Sequence, residues 1–180
     1  PTILLSTQSD ESLPYIKAND YAAIYAATEY LLLKNHKHIG LAGLNREDPV
    51  AGSPRIKGYS DCLERYGIAI DQDLIVNGDF SFDAGKEAMK FYLKQKYLPS
   101  AIICASGINI PNDLSVIGYD DTNISWMTTP SLTTIKQPFY EMGSKGCAAL
   151  INSILEGKPI VSQILPFSLI ERNTVIQKTN

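Results

Sequence analysis

Short runs of apolar residues alternate along the chain with longer segments in which apolar residues recur every three or four positions. The short runs are typical of buried strands, and the longer segments predict amphipathic helices. The predicted strands span residues 3–5, 38–42, 74–76, 101–105, 114–118 and 132–135, with further extended segments at 164–167 and 169–170. The predicted helices span residues 21–34, 55–66, 82–97 and 139–155. Strands that are apolar throughout and alternate with helices indicate an α/β fold built from parallel, doubly wound sheets.

One connection between predicted strands is too short for this pattern. Only the eight residues 106–113 separate the strands predicted at 101–105 and 114–118. A crossover between parallel strands needs about 10–12 residues and normally contains a helix. Either this pair is antiparallel or a helix is absent from the sequence, and we favour the second interpretation.

The residues that follow the predicted strands are the candidates for ligand binding, because ligands of open α/β sheets bind beyond the carboxyl ends of the strands. These positions are Ser6, the loop 43–55, Asp79–Phe80, Ser106–Gly107 and Tyr119–Asp121.

Composition and charge narrow the function classes. The 180 residues are 44% hydrophobic and carry 16 basic against 19 acidic side chains, a net charge of −3. This balance excludes a basic surface that coats nucleic acid. No stretch approaches the roughly 20 consecutive apolar residues of a membrane helix. Residues 1–6 have no positively charged region and no cleavage site, so we expect no secretory signal there. We also expect no membrane partner.

Metal and catalytic chemistry find little support in the residues. Cys62, Cys104 and Cys147 lie far apart, which disfavours a zinc site and fits reduced thiols in a cytoplasmic protein. His36 and His38 have no adjacent acidic or thiol partner. No Ser-His-Asp arrangement and no glycine-rich phosphate loop is visible. We therefore expect no enzyme activity, no catalytic residues, no metal and no cofactor.

Eight segments carry a family resemblance. They are Thr28–Leu31, Asn35–Gly43, Arg55–Tyr59, Gly78–Ser81, Pro111–Asp121, Pro130–Pro138, Glu141–Gly143 and Leu169–Thr174. In their order and spacing they closely resemble the effector-binding core of the lactose-repressor/galactose-repressor (LacI/GalR-type) family of bacterial transcription regulators. The resemblance runs from about residue 1 to residue 174.

The resemblance implies both a fold and a function. The family's core consists of two α/β lobes, like a periplasmic sugar-binding protein, with a small effector in the cleft between them. An N-terminal helix-turn-helix module, working in a dimer, binds operator DNA. We therefore expect the effector-binding and dimerisation core of a cytoplasmic repressor that acts as a homodimer. The expected effector is a sugar or sugar derivative, with a purine as the alternative ligand. A periplasmic sugar-binding protein of a transport system is the alternative function.

The resemblance also assigns the chain to lobes. Residues 1–16 and 138–166 match parts of the N-terminal lobe, and residues 17–137 and 167–180 match the C-terminal lobe. The DNA-binding module and about half of the N-terminal lobe have no counterpart, and one helix is missing near residues 106–107. We therefore expect the sequence to be an incomplete copy of a longer chain.

By the same resemblance, effector contacts fall at Ser6, Arg55, Phe80, Ser106 and Asp120. The Asp120 carboxylate can accept hydrogen bonds from two adjacent sugar hydroxyls. The Arg55 guanidinium can donate two parallel hydrogen bonds, and Phe80 can stack on a pyranose or a purine. The alternatives are a turn cap for Asp120, a solvated helix face for Arg55 and core packing for Phe80.

Two further aromatic residues and one carboxylate complete the set. Phe139 matches a residue that lines the cleft, with packing within a lobe as its alternative. Trp126 follows Asp120 in an irregular stretch, where it either shapes the mouth of the cleft or packs at the surface. Asp121 is a second candidate acceptor, for which we expect a more structural role.

Overall fold

A computed structural model describes residues 1–9, 13–104 and 114–178. Its helices are α1 (Asp20–Leu33), α2 (Gly52–Arg65), α3 (Phe82–Leu93), α4 (Ile124–Met127) and α5 (Phe139–Glu156). Its strands are β1 (Leu4–Leu5), β2 (Tyr15–Ala18), β3 (Ile39–Leu44), β4 (Ile75–Asn77), β5 (Ala101–Cys104), β6 (Ser115–Tyr119), β7 (Thr133–Lys136), β8 (Gln163–Leu165) and β9 (Ser168–Ile170). The chain divides into two compact units. The first contains Pro1–Asn19 and Gln137–Phe167, and the second contains Asp20–Lys136 and Ser168–Asn180.

The first unit is a small parallel sheet that packs against one helix. Its strand order is β1-β2-β8, and both strand pairs are parallel. Ile16 from β2, Met142 from α5 and Leu165 from β8 form its buried core. Gly146 lets Leu5 approach α5, since a Cβ at this position would lie 2.8 Å from the Leu5 Cδ2.

The second unit contains a six-stranded sheet in the order β4-β3-β5-β6-β7-β9. All neighbouring pairs are parallel except β7 and β9, which are antiparallel. Strands β3, β5 and β6 are buried along their whole length, as their continuous apolar sequences predict. The predicted α/β class with predominantly parallel sheets is therefore confirmed.

The short connection between β5 and β6 joins a parallel pair. Ala101 aligns with Ser115, and Ile103 aligns with Ile117. The antiparallel alternative that the sequence left open is therefore wrong. The connecting residues 105–113 lie outside the described residues.

Close backbone approach fixes the contact between α1 and α2. A Cβ on Gly58 of α2 would lie 2.3 Å from the carbonyl oxygen of Tyr21 in α1. Only glycine permits this separation, so its position in the sequence sets how deeply the two helices pack. This packing brings the first turns of α1 and α2 together, which matters for the candidate site.

Two helix boundaries differ from the sequence prediction by more than one residue, and one helix was not predicted. Helix α2 begins at Gly52 because the Asp48 carboxylate accepts the Val50 and Gly52 N–H groups, at 2.9 and 3.3 Å. Helix α3 ends at Leu93, and the apolar residues that follow it, Tyr97 and Leu98, are exposed. Helix α4 occupies the stretch that was predicted to be irregular, because a helix of four residues is too short to show a period.

Two kinds of feature are absent from the described residues. None of their helices has both the length and the apolar character that a bilayer-spanning helix requires. Among the same residues, no three His, Cys, Asp or Glu side chains are grouped so that they could hold a metal ion.

Candidate functional site

A buried ion pair joins the first turns of α1 and α2. Nε and Nη2 of Arg55 each lie 2.8 Å from Oδ1 of Asp20. The two side chains are only 9% and 8% exposed. The Tyr119 hydroxyl at the end of β6 donates a hydrogen bond to the same Asp20 oxygen, at 3.2 Å. One carboxylate therefore holds two side chains that come from different elements.

Aromatic rings complete the surroundings of the guanidinium. Cζ of Arg55 lies 4.0 Å from the centroid of the Tyr119 ring and 5.5 Å from the centroid of the Phe80 ring. Such cation–π contacts contribute up to about 2 kcal/mol each when they are desolvated. Burial is the main reason that the Tyr119 pKa is raised, and the nearby Arg55 charge opposes this shift. The Arg55 guanidinium is thus held in one orientation.

Three positions in or beside this cluster have a left-handed backbone. Phe80 follows β4 with φ = 63°, and Asp120 and Asp121 follow β6 with φ = 82° and 49°. This conformation is uncommon for residues other than glycine and is an outlier for a bulky side chain. The turn at Phe80 is fixed because its N–H donates to the Gly43 carbonyl oxygen, at 3.0 Å. Strained backbone of this kind concentrates at ligand sites.

The Asp121 carboxylate forms ion pairs with Arg172 and Lys136. Nη2 of Arg172 donates to Asp121 Oδ1 at 2.7 Å, and Nζ of Lys136 lies 3.7 Å from Oδ2. Arg172 also donates from Nη1 to the Leu132 carbonyl oxygen, at 2.7 Å. These contacts tie the end of β6 to the C-terminal segment after β9.

Comparison with known proteins assigns the chain to a family. A family model described as a periplasmic binding protein-like domain matches residues 28–175. The chain is 31% identical over 159 residues to catabolite control protein A of Priestia megaterium, and the matched region covers 80% of this chain and 48% of that protein. It is 34% identical over 156 residues to the HTH-type transcriptional repressor CytR of Escherichia coli K12, covering 79% and 46%.

Solved structures agree with these relatives. A transcription regulator from Lactobacillus plantarum has a TM-score of 0.91 and 32% identity, covering 99% of this chain and 73% of that one. A LacI-family regulator from Enterococcus faecium, solved with bound ribose, has a TM-score of 0.86 and 25% identity, covering 99% and 71%. The chain belongs to the LacI family of periplasmic-binding-protein-like domains.

The LacI-type resemblance read from the sequence is therefore confirmed. The curated relatives named above are a catabolite control protein and an HTH-type transcriptional repressor. This LacI-family chain spans about half the length of the curated relatives that it matches.

The structure groups some of the predicted site residues. Arg55 and Phe80 are in contact through the guanidinium and the ring, and Asp120 directly follows Tyr119. The solvated-face alternative for Arg55 is wrong, because this residue is only 8% exposed. Trp126 lies in α4 with 62% of its surface exposed.

The other predicted contacts lie in the first unit or outside the described residues. Ser6 follows β1 in the first unit, is exposed and has φ = 62°. Phe139 is the first residue of α5 in the same unit and is 47% exposed. Ser106 lies outside the described residues.

Sequence reasoning missed one member of the cluster, Asp20. Tyr119 was included among the candidate positions that follow a strand, but it was given no role of its own. The Asp20 partner lies 35 positions away along the chain, so no local pattern could reveal the pair. A weak signal existed in Arg55 itself, because a cation in the first turn of a helix opposes the helix dipole and calls for a compensating anion.

Proposed function

We propose that this chain is the effector-binding and dimerisation core of a bacterial transcriptional repressor. A small molecule would bind at the carboxyl ends of the strands of the second unit and change the affinity of the whole protein for its operator. Effector and operator are then linked through two conformations, and each ligand shifts the equilibrium by its differential affinity. Membership of the LacI family and the named repressors among its relatives support this proposal.

The observation that carries the proposal is the fixed guanidinium of Arg55. Among the described residues, its Nη1 has no hydrogen-bond partner, while Nε and Nη2 contact Asp20. Nη1 can therefore donate to a hydroxyl or ring oxygen of a ligand. The half-buried Phe80 offers an aromatic face for stacking, and the Asp120 carboxylate offers acceptors for hydroxyl groups.

The proposed effector class is a sugar or a sugar derivative. Two structural neighbours were solved with sugars, one with ribose at 25% identity and one, CelR, with cellobiose at 26% identity. Ser6, Ser106 and Phe139 remain proposed effector contacts, and Trp126 a proposed residue of the cleft mouth, on the family resemblance alone. We also propose a cytoplasmic homodimer that reaches operator DNA through an N-terminal module.

A thermal-shift screen tests the proposal. The full-length protein is heated with ribose, cellobiose, glucose, galactose and adenosine, and binding ligands are then titrated by calorimetry. We expect at least one sugar to raise the melting temperature. We expect Asp120→Asn and Phe80→Ala each to weaken its binding about 5- to 100-fold, which corresponds to about 1–3 kcal/mol.

Asp83→Asn is the matched control for Asp120→Asn, because Asp83 is a carboxylate whose side chain is 88% exposed on α3. Its titration should match that of the unmodified protein. Equal sugar affinity in the Asp120→Asn variant, the Phe80→Ala variant and the control would contradict the proposed site.

A further inference from the structure

We propose that Asp20 makes the effector site of the second unit selective for uncharged ligands, because it neutralises the charge of Arg55 and occupies the Nε edge of its guanidinium. The inference rests on the proposed function, since it names the ligand class of the same site. Asp20 is a positioning residue here, since it acts through Arg55.

The geometry limits what Arg55 can present to a ligand. A phosphate or carboxylate group is held most firmly when two N–H groups on one edge of the guanidinium donate in parallel. The edge formed by Nε and Nη2 already contacts Asp20 Oδ1, at 2.8 Å from both nitrogens. Nη1 and the N–H of Nη2 that points away from Asp20 remain, and they can donate to hydroxyl or ether oxygens without an unbalanced positive charge behind them.

The charges around the site also disfavour an anion. Arg55 is paired with Asp20, and both Arg172 and Lys136 are paired with Asp121. Arg172 and Lys136 therefore share one carboxylate, and of these three cations only Arg55 has a carboxylate of its own. Asp120 adds a further negative charge beside Tyr119, and that charge helps to raise the Tyr119 pKa.

An incoming phosphate would therefore lose its water at an arginine whose charge Asp20 already balances. The negative charges of Asp20 and Asp120, both close to Tyr119, would also repel it. Burial of an unpaired charge is strongly unfavourable, and like charges close together add to that cost. A neutral polyol loses only hydrogen bonds with water, which the same donors and acceptors can replace.

The test uses inorganic phosphate as the probe. The melting temperature of the full chain is measured in rising sodium phosphate, against sodium chloride of equal ionic strength. We expect no phosphate-specific stabilisation of the unmodified protein. Asp20→Asn should gain a phosphate-dependent stabilisation, with a midpoint at least tenfold lower than any seen without the substitution. Adding Arg55→Gln to Asp20→Asn should abolish that gain.

Two controls separate positioning from general charge. Asp20→Glu keeps the negative charge and should restore the insensitivity to phosphate. Asp61→Asn removes a carboxylate from the exposed Lys57–Asp61 ion pair of α2 and should not create a phosphate response. Phosphate stabilisation of the unmodified protein that disappears in Arg55→Gln would overturn the inference. An unchanged phosphate response in a folded Asp20→Asn variant would overturn it as well.

A second measurement decides the case if Asp20→Asn does not fold. The unmodified protein is titrated with ribose and ribose 5-phosphate, and with glucose and glucose 6-phosphate. The uncharged member of a binding pair should be preferred at least tenfold, and tighter binding of the phosphorylated member would overturn the inference. If no uncharged sugar binds, that result counts against the proposed function instead. The phosphate titration still decides the charge selectivity in that case.

Discussion

The ion pair between Asp20 and Arg55 makes a sharp prediction about stability. We consider three variants: Asp20→Asn, Arg55→Met and the two combined. Asparagine keeps an acceptor for the Tyr119 hydroxyl, which donates to Asp20 at 3.2 Å. Methionine keeps much of the length of the arginine side chain without its charge. The series therefore isolates the charge pair from packing and from the hydrogen bond of Tyr119.

The expected magnitude follows from burial. Both side chains are less than 10% exposed, and each contacts the other at 2.8 Å. Removal of one partner leaves the other charge buried without compensation, which costs about 3–5 kcal/mol of unfolding free energy. The double variant leaves no uncompensated charge and should lose less than the sum of the single variants. We expect a coupling energy of about 3 kcal/mol or more.

Urea denaturation followed by far-UV circular dichroism measures these differences. Lys57→Met and Asp61→Asn form the matched control cycle, because this pair also involves α2 but Lys57 has a 67% exposed side chain. Its coupling should be small, since solvent screens exposed ion pairs. A coupling energy for Asp20 and Arg55 no larger than that of the control cycle would refute the reasoning.

Three further predictions follow from buried groups. Burial lowers the pKa of His36, so the folded chain binds fewer protons than the unfolded chain. The contribution of His36 to stability should therefore be full above about pH 6.5 and fall as the pH drops below it. Melting curves recorded from pH 5 to 8 measure this dependence. Gly58→Ala should destabilise the second unit by about 1–3 kcal/mol in urea unfolding, because the new Cβ would meet the Tyr21 carbonyl oxygen. In native protein a thiol reagent should modify Cys147, which is exposed, and should spare the two buried cysteines, whose pKa values burial raises.

Each of these predictions has its own check. His36→Asn should flatten the dependence of stability on pH, whereas His38→Asn should leave it in place, and an unchanged slope in His36→Asn would be evidence against the mechanism. Gly143→Ala is the control for Gly58→Ala, because its Cβ would meet nothing within 4 Å. Modification of all three thiols in folded protein at equal rates would contradict the burial of Cys62 and Cys104.

Much of the fold could be predicted because it depends on local patterns. The apolar run at 38–42 corresponds to β3, and the helical spacing at 21–34 corresponds to α1, each within two residues. Boundaries were less certain where a side chain acts from outside the element, as Asp48 does at the start of α2. Helix α4 could not be predicted, since four residues cannot show a helical period.

The candidate site was predictable in its position but not in its chemistry. The order of strands and helices placed Arg55, Phe80 and Asp120 after strand ends, where parallel sheets bind ligands. The structure shows that the first two lie together and that Asp120 follows Tyr119. It does not describe Ser106, which stays a prediction.

The sequence by itself determined the α/β class, the predominance of parallel strands and the family, because these follow from hydrophobic periodicity and from motifs that are contiguous in the chain. Only the tertiary structure decided that Arg55 is buried and neutralised by Asp20 rather than solvated. The two residues meet because Gly58 lets α1 and α2 approach closely, and the strand order brings Tyr119 beneath the same guanidinium. Such contacts depend on the separation of packed elements in space, which no spacing along the chain encodes.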